Sequence, residues 1–402
     1  MLEKGRKMPN TSADVVVIGG GVNGTSIAMH LARLGAGKVL LLEKGHLAGG
    51  ASGRSGAMVR EHYLHPTLVK MAMEASDIFH NFGDAVGGDA RFIETGRALL
   101  FGEHDVPAVR ANVAMNRELG VNIHTLSPSE ISEIVPNANL EGVAIGAYEP
   151  VSGYADPMAT TYAYANRAKD YGAEIETGCA VSGIRVQGGR VVGVDTERGY
   201  IAADAVIAAT GPWVNQLAAP LGESLPIAPT RVQMVHLRRP PSLEGLTTNV
   251  IDHTTGAYFR VDAGYSTLIG GENLDDLNEV VNPDAFGLNA DHDTITKFWD
   301  RAKLRFPDFS AATQRGGYGS LYDMTPDGNP ILDKAASIDG LYWAVGFSGH
   351  GFKLSPVVGR MVAEFVLHGK SADHPIQDFR AARFTEGKPL TAQHPYTGRR
   401  HQ

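Results

Sequence analysis

The chain has 402 residues, 43% hydrophobic and 20% charged, enough apolar material for one large core or two moderate ones, which excludes a disordered chain. Its formal net charge of −8, with no long basic run, argues against nucleic acid and anionic membrane as partners and for an enzyme of small molecules. Cys179 is the only cysteine, so no internal disulfide and no cysteine metal cluster can form, and no metal is expected.

In chain order, the polar start "MLEKGRKMPNTSAD" lacks the apolar stretch of a secretory signal, and no apolar run is long enough to span a bilayer; a cytoplasmic protein is expected. Val15 to Ile18 form a short, wholly apolar run suited to a central parallel strand. Gly19, Gly21 and Gly24 follow in the pattern G-x-G-x-x-G, with Val22 and Asn23 between them. From Thr25 to Leu34, Ile27, Leu31 and Leu34 mark the apolar face of a helix packed on a sheet. A second strand, "KVLLLE", ends at Glu43, where a carboxylate can accept hydrogen bonds from ribose hydroxyls. Strand, glycines, helix, strand and terminal acid together predict a dinucleotide site for NAD or FAD, and the motif does not choose between them.

The next segment, "GHLAGGASGRSGAMVREHY", favours FAD. A nicotinamide enzyme would continue into another crossover helix, whereas this loop is polar and flexible, with Gly50, Ala51, Ser52, Arg54, Ser55 and Gly56 placed for a second contact with a long dinucleotide. Lys44 at its entry and Met58 at its exit are counted with the cofactor residues.

Five stretches in this order, "VVVIGGGVNG", "EKG…GGASGRSGAMVR", "AVIAATGPW", "DMTPDGNPILD" and "GFSGHGFKLSP", resemble the FAD-dependent amine and amino-acid oxidoreductases of the D-amino acid oxidase type. The likeness is to the branch of sarcosine oxidase, dimethylglycine dehydrogenase and glycine oxidase, and it covers residues 13 to 370. It implies an α/β (α+β) fold, with a Rossmann-like FAD-binding domain and a discontinuous antiparallel-sheet substrate domain. The expected division assigns 1–90, 146–225 and 316–385 to FAD, 91–145 and 226–315 to substrate, and 386–402 to a loose tail.

Further along, residues 68 to 82 read as a helix, "ETGRALLFG" as a strand, and "SPSEISEIVP" as a short helix opened by a Ser-x-x-Glu capping pattern. "VSGIRVQGGRVVGVDTERGY" alternates around Gly188 and Gly189 like a β-meander. "AVIAATG" is another buried strand, and the resemblance brings its glycine, Gly211, beside the dinucleotide. Residues 226 to 315 carry the strands "TRVQMVHLR", "GAYFRVD" and "STLIGGE" of an antiparallel sheet with helices on one face.

The resemblance also assigns the chemistry. It implies hydride loss from the carbon beside a neutral amine to flavin N5, giving an imine that water hydrolyses. Arg60 and Lys353 match positions that hold a substrate carboxylate, Tyr322 and Tyr258 would face the substrate, and His350 would sit near the flavin ring. The N–H groups of Gly349, His350, Gly351 and Phe352 would open a helix near residue 353 toward the flavin, stabilising the negative charge of its reduced form. Read from residue types alone, Arg60 could equally pair with Glu61, and Lys353 could be a solvated first-turn lysine.

Ser320 stands where a sarcosine oxidase carries the cysteine that links FAD, and "ASGRSGAM" offers no histidine for the other known attachment, so FAD is expected to be non-covalent. Ser266 aligns with the lysine of relatives that use O2, and no lysine lies between Arg260 and Asn273. This argues for an electron-transfer acceptor over O2. The partners expected are thus a small amino-acid or amine substrate and one of these acceptors, with a homo-oligomer or a complex subunit both compatible. A 2-hydroxy acid dehydrogenase, with His62, His253 or His350 as base, is the rival enzyme, and a flavin-binding subunit dependent on partners is the rival of another class.

Overall fold

The computed structural model describes residues 11–397. The first apolar run is the strand Ser12–Ile18, centred in a parallel array ordered Glu174–Glu176, Val39–Leu42, Ser12–Ile18, Gly199–Ala208 and Leu341–Val345. Alternation sends Val15 and Val17 to the helical side and Val16 and Ile18 to the opposite layer, so a continuous apolar run suits a strand covered on both faces. On the helical side lie Val22–Arg33, Pro157–Asp170 and Gly351–His368. The expected meander is Val181–Gln187, Arg190–Thr196 and Gly199–Ala208. Gly188 and Gly189 both have positive φ, as a two-residue hairpin turn requires.

A second, nine-stranded sheet draws on residues 97–149 and 228–324, antiparallel except where Asn249–Asp252 runs parallel to Arg97–Phe101. One face packs beneath the helix His292–Arg305 through Phe259, Phe298, Phe306 and Phe309. The boundaries expected at 145/146 and 315/316 both fall inside strands of this sheet, Ile145–Glu149 and Thr313–Met324. The Ser-x-x-Glu pattern forms a full capping box, with Ser127 at the N-cap of Pro128–Ile134 and Glu130 reaching back.

The loose tail is corrected as far as Thr397, and residues 398–402 lie outside the described ones. Leu390 N–H donates to Asp327 at 2.9 Å, the His394 carbonyl accepts from Asn112 at 2.8 Å, and Tyr396 is buried against Phe101 with its hydroxyl 2.9 Å from His62 Nε2. A segment without periodicity can be held by scattered side-chain hydrogen bonds, which no repeat pattern registers.

Candidate active site

The glycine turn is built by contact. Gly19 has a φ of +113°, and a Cβ on Gly24 would overlap the Gly19 carbonyl oxygen, so the helix Val22–Arg33 can start hard against the strand only with glycine there. Gly19, Gly21, Val22 and Asn23 line a cleft of about 590 Å³, while Gly24 supports it from behind. The Glu43 carboxylate accepts from Gly20 N–H and Gly45 N–H, each at 2.7 Å, and is thereby fixed at one end of the cleft.

Gly50, Ala51, Ser52, Arg54 and Ser55 line the same cleft; Gly56 and Met58 lie outside its lining. Ser52 Oγ accepts from Val22 N–H at 3.0 Å, tying the loop to the helix N-terminus. Arg54 folds back on the Gly49 carbonyl at 2.9 Å. Lys44 lies at the exposed mouth, 3.2 Å from Asp284 and with its ammonium 3.9 Å from the centre of the Trp213 ring.

The stretch "GFSGHGFKLSP" opens the helix Gly351–His368, which begins at His350 as N-cap, slightly earlier than expected. Its glycines permit close approach. A Cβ on Gly349 would stand 2.9 Å from the Tyr322 ring, one on Gly351 would stand 2.8 Å from Asn23 Nδ2, and one on Gly359 would overlap Ser26. Asn23 Nδ2 donates to the Gly351 carbonyl at 3.2 Å and Ser26 Oγ to the Ser355 carbonyl at 2.8 Å. Two helix N-termini are thus pinned side by side. Gly211, Gly349, Gly351 and Phe352 line the cleft; His350 and Lys353 do not.

Arg60 and Lys353 form a cationic wall without a dedicated acid. The Arg60 guanidinium donates to the His62 carbonyl and lies 3.9 Å over the Tyr63 ring, and Tyr63 in turn packs on His350 at 5.3 Å. Neither cation makes an ion pair among the described residues, so Arg60 does not pair with Glu61. Lys353 is 8% exposed, and its ammonium finds only the Gly349 carbonyl at 3.5 Å. Burial pulls its pKa well below the usual lysine range, and the charges of Arg60 and Arg97 push the same way. Arg97 already has its acid: it meets Glu149 at 2.7 Å, the pair buried, and Glu149 also accepts from the N–H groups of Glu61 and His62.

Tyr258 is buried on the strand Ala257–Val261, and a Cβ on Gly56 would stand 3.6 Å from its hydroxyl. Burial raises both the Tyr258 and the Tyr322 phenol, with Tyr322 adding to the shift of Tyr258 and Glu272 to that of both, so both stay neutral. Ser320 is buried on the strand of Tyr322, two residues away and on its face. Ser266 begins the strand Ser266–Gly271, but Leu268 is the residue that approaches Gly56. Of the rival bases, His62 is engaged by Tyr396 and brought down to about 3 by burial, too low to hold an abstracted proton. His253 is stacked on Phe101 at 4.3 Å.

Several site residues escaped sequence reasoning. Asp323 lines the cleft, accepts from Gly346 N–H at 2.7 Å, and has its carboxyl pushed up to about 6 by burial. Its place in the quoted "DMTPDGNP" was the available signal. Trp213 and Gln216 both donate to Asp284, at 2.7 and 2.6 Å, so the loop around residues 283–288 of the second sheet closes over the cofactor end. Nothing local announced that approach. Glu272, at the end of Ser266–Gly271, acts on Lys353, Tyr258 and Tyr322 and was likewise missed.

A cleft lined by a glycine turn, a fixed acid, two helix N-termini and Tyr322, with the Lys353 ammonium on the Gly349 carbonyl behind it, is the site of a dinucleotide-dependent oxidoreductase. The sequence profile of the FAD dependent oxidoreductase family (DAO) matches residues 14–365, and the chain belongs to that family. It is 28% identical to FAD-dependent oxidoreductase domain-containing protein 1 of Bos taurus, over 95% of this chain and 86% of that protein. It is 27% identical to mitochondrial sarcosine dehydrogenase of Mus musculus, over 90% of this chain but only 40% of that longer protein. L-proline dehydrogenase from P. horikoshii superposes with a TM-score of 0.86 at 28% identity, covering 94% of this chain and all of that one.

The cofactor is therefore FAD, and the residues present fit it. Asn23 Oδ1 and Thr210 Oγ1 are buried at the cleft without a hydrogen-bond partner, as groups awaiting a polar ligand would be. The helix N-terminus at Gly21 suits pyrophosphate, and Glu43 suits ribose. Among the described residues no helix is long and apolar enough to cross a membrane.

Proposed function

We propose that this chain oxidises a small amino acid, in the first place one with a secondary amine, by removing hydride from the carbon beside the nitrogen. The observation that carries the reading is the pair Arg60 and Lys353, two cations without an ion pair among the described residues, with Lys353 reaching the carbonyl of Gly349, which lines the cleft against the Tyr322 ring. A substrate carboxylate would complete that wall, with the planar guanidinium giving a directional contact and the ammonium a second charge. The relatives named sarcosine dehydrogenase and L-proline dehydrogenase support a secondary amine. FAD, held by the glycine turn, Glu43 and the two helix N-termini, would supply the two-electron oxidant for this hydride.

The protein's part is to orient and to tune. The carboxylate held by Arg60 and Lys353 fixes the substrate's approach, while their positive charge lowers the pKa of its ammonium and favours the neutral amine that loses hydride. Tyr258 and Tyr322, neutral phenols, wall the site and offer hydroxyls to the substrate. We read FAD as non-covalent, since a serine stands at 320, and the acceptor as an electron-transfer partner, since no lysine lies between Arg260 and Asn273.

The test is an anaerobic screen of the yellow protein with sarcosine, L-proline, glycine and 2-hydroxyglutarate, followed by air. Bleaching of the flavin by an amine substrate supports the reading. Bleaching by the hydroxy acid alone, or by none, sinks it, and fast reoxidation in air sinks the choice of acceptor.

A further inference from the structure

The site has a second pole. In the strand Ser266–Gly271 alternate residues share a face. Leu268 on that face packs with Val232, Met234, Tyr318 and Tyr322. Gly270, next on it, lies opposite Tyr258, whose ring occupies the space a side chain would need. Glu272 continues the same face one step beyond the strand, its N–H bonded to the Gly256 carbonyl at 2.9 Å. It is half-buried, and its carboxylate has no hydrogen bond or ion pair among the described residues. The nearby cations are committed elsewhere: Arg301 to Asp276 at 2.6 Å, with Lys297 on the same carboxylate. Arg97 belongs to Glu149. Glu272 is near enough to act on Lys353, Tyr258 and Tyr322, yet it makes no direct bridge to Lys353.

Glu272 and Lys353 act on each other without forming an ion pair among the described residues, so the two opposite charges stay apart. A ligand that bridges them carries the complementary charges, negative toward Arg60 and Lys353 and positive toward Glu272. We propose that Glu272 binds the positively charged nitrogen of the incoming substrate on entry, so that the site selects zwitterionic amino acids over carboxylates of the same shape. Until the proton leaves, Glu272 offsets in part the lowering of the ammonium pKa by Arg60 and Lys353. This rests on the reading above that Arg60 and Lys353 hold the substrate carboxylate. It names the third recognition group, which no local motif announces, and gives a physical ground for preferring amino acids to 2-hydroxy acids.

The test uses two ligands of one shape that cannot be oxidised at nitrogen: trimethylglycine, and 3,3-dimethylbutanoate, in which carbon replaces the quaternary nitrogen. Their dissociation constants are read from the perturbed flavin spectrum of the FAD-loaded protein and of Glu272→Gln. The wild type is expected to bind trimethylglycine roughly tenfold or more tightly, as the Coulomb attraction of one unlike charge in a half-buried site implies without any hydrogen bond. Glu272→Gln should lose most of that preference while keeping its flavin spectrum and its affinity for 3,3-dimethylbutanoate. Equal affinities in the wild type, absence of binding included, or a preference unchanged in the variant would overturn the inference. Arg60→Met separates the two claims. If it leaves 3,3-dimethylbutanoate binding intact, the carboxylate assignment fails, whatever Glu272 does.

Discussion

Replacing Lys353 by methionine should move function and stability in opposite directions. The side chain is 8% exposed, makes no ion pair among the described residues, and carries a charge that its surroundings disfavour, Glu272 only partly opposing. Toward substrate, the variant loses one charge-assisted hydrogen bond, worth ~1.5–3 kcal/mol. At about 1.4 kcal/mol per tenfold, the dissociation constant for a carboxylated substrate rises roughly 10- to 150-fold. Toward unfolding, methionine keeps the length of the side chain and removes a poorly solvated ammonium, so the unliganded holoenzyme should gain ~1–3 kcal/mol.

The pH dependence follows from the sign of the shift. The lysine's folded pKa lies below its ordinary 10.5, so the unfolded chain binds more protons between those two values and wild-type stability climbs with pH there. The variant's advantage is therefore full below the folded pKa and shrinks as pH rises toward 10.5. Substrate affinity of the wild type should weaken over the same interval, as the unliganded lysine loses its proton. Anaerobic titration of flavin reduction gives the first quantity and scanning calorimetry of the holoenzyme at several pH values the second. Unchanged affinity, or a stability gap that widens with pH, would refute the argument.

Other substitutions probe the frame. Gly24→Ala places a methyl group on the Gly19 carbonyl oxygen, backbone that cannot rotate away. It should cost ~1–3 kcal/mol and weaken FAD binding to the apoprotein, measured by flavin titration and thermal unfolding. Glu149→Gln strips Arg97 of its buried partner and should destabilise the fold by ~3–5 kcal/mol in urea unfolding. Arg97 and the His62 N–H hold the Glu149 carboxyl below its ordinary value, burial opposing them. The wild type's advantage over this variant is therefore present above that ordinary value and lost in acid, as pH falls through the folded pKa.

Local pattern was enough wherever one short segment contained its own cause. The strand, glycine turn, helix and acid of residues 15–43 are specified by hydrophobic period and by glycines that no larger residue can replace. The same holds for the capping box at Ser127 and the helix opened by "GFSGHGFKLSP", whose glycines accommodate Tyr322, Asn23 and Phe347. The tail's anchoring leaves no pattern because its anchors are single contacts with distant residues, 63 positions away for Leu390 on Asp327 and 334 for Tyr396 on His62.

The sequence by itself determined that this chain builds a dinucleotide cleft and ends it on a lysine-bearing helix, because backbone conformation and apolar period are read over neighbouring residues. Long-range folding is what leaves Lys353 without an ion pair among the described residues, lays Arg60 over Tyr63 instead of against Glu61, and brings Asp284 and Asp323 to the cleft and Glu272 within electrostatic reach of Lys353. Charge compensation is a property of what lies within a few ångströms, and sheet register, set by long-range pairing, brings those groups together.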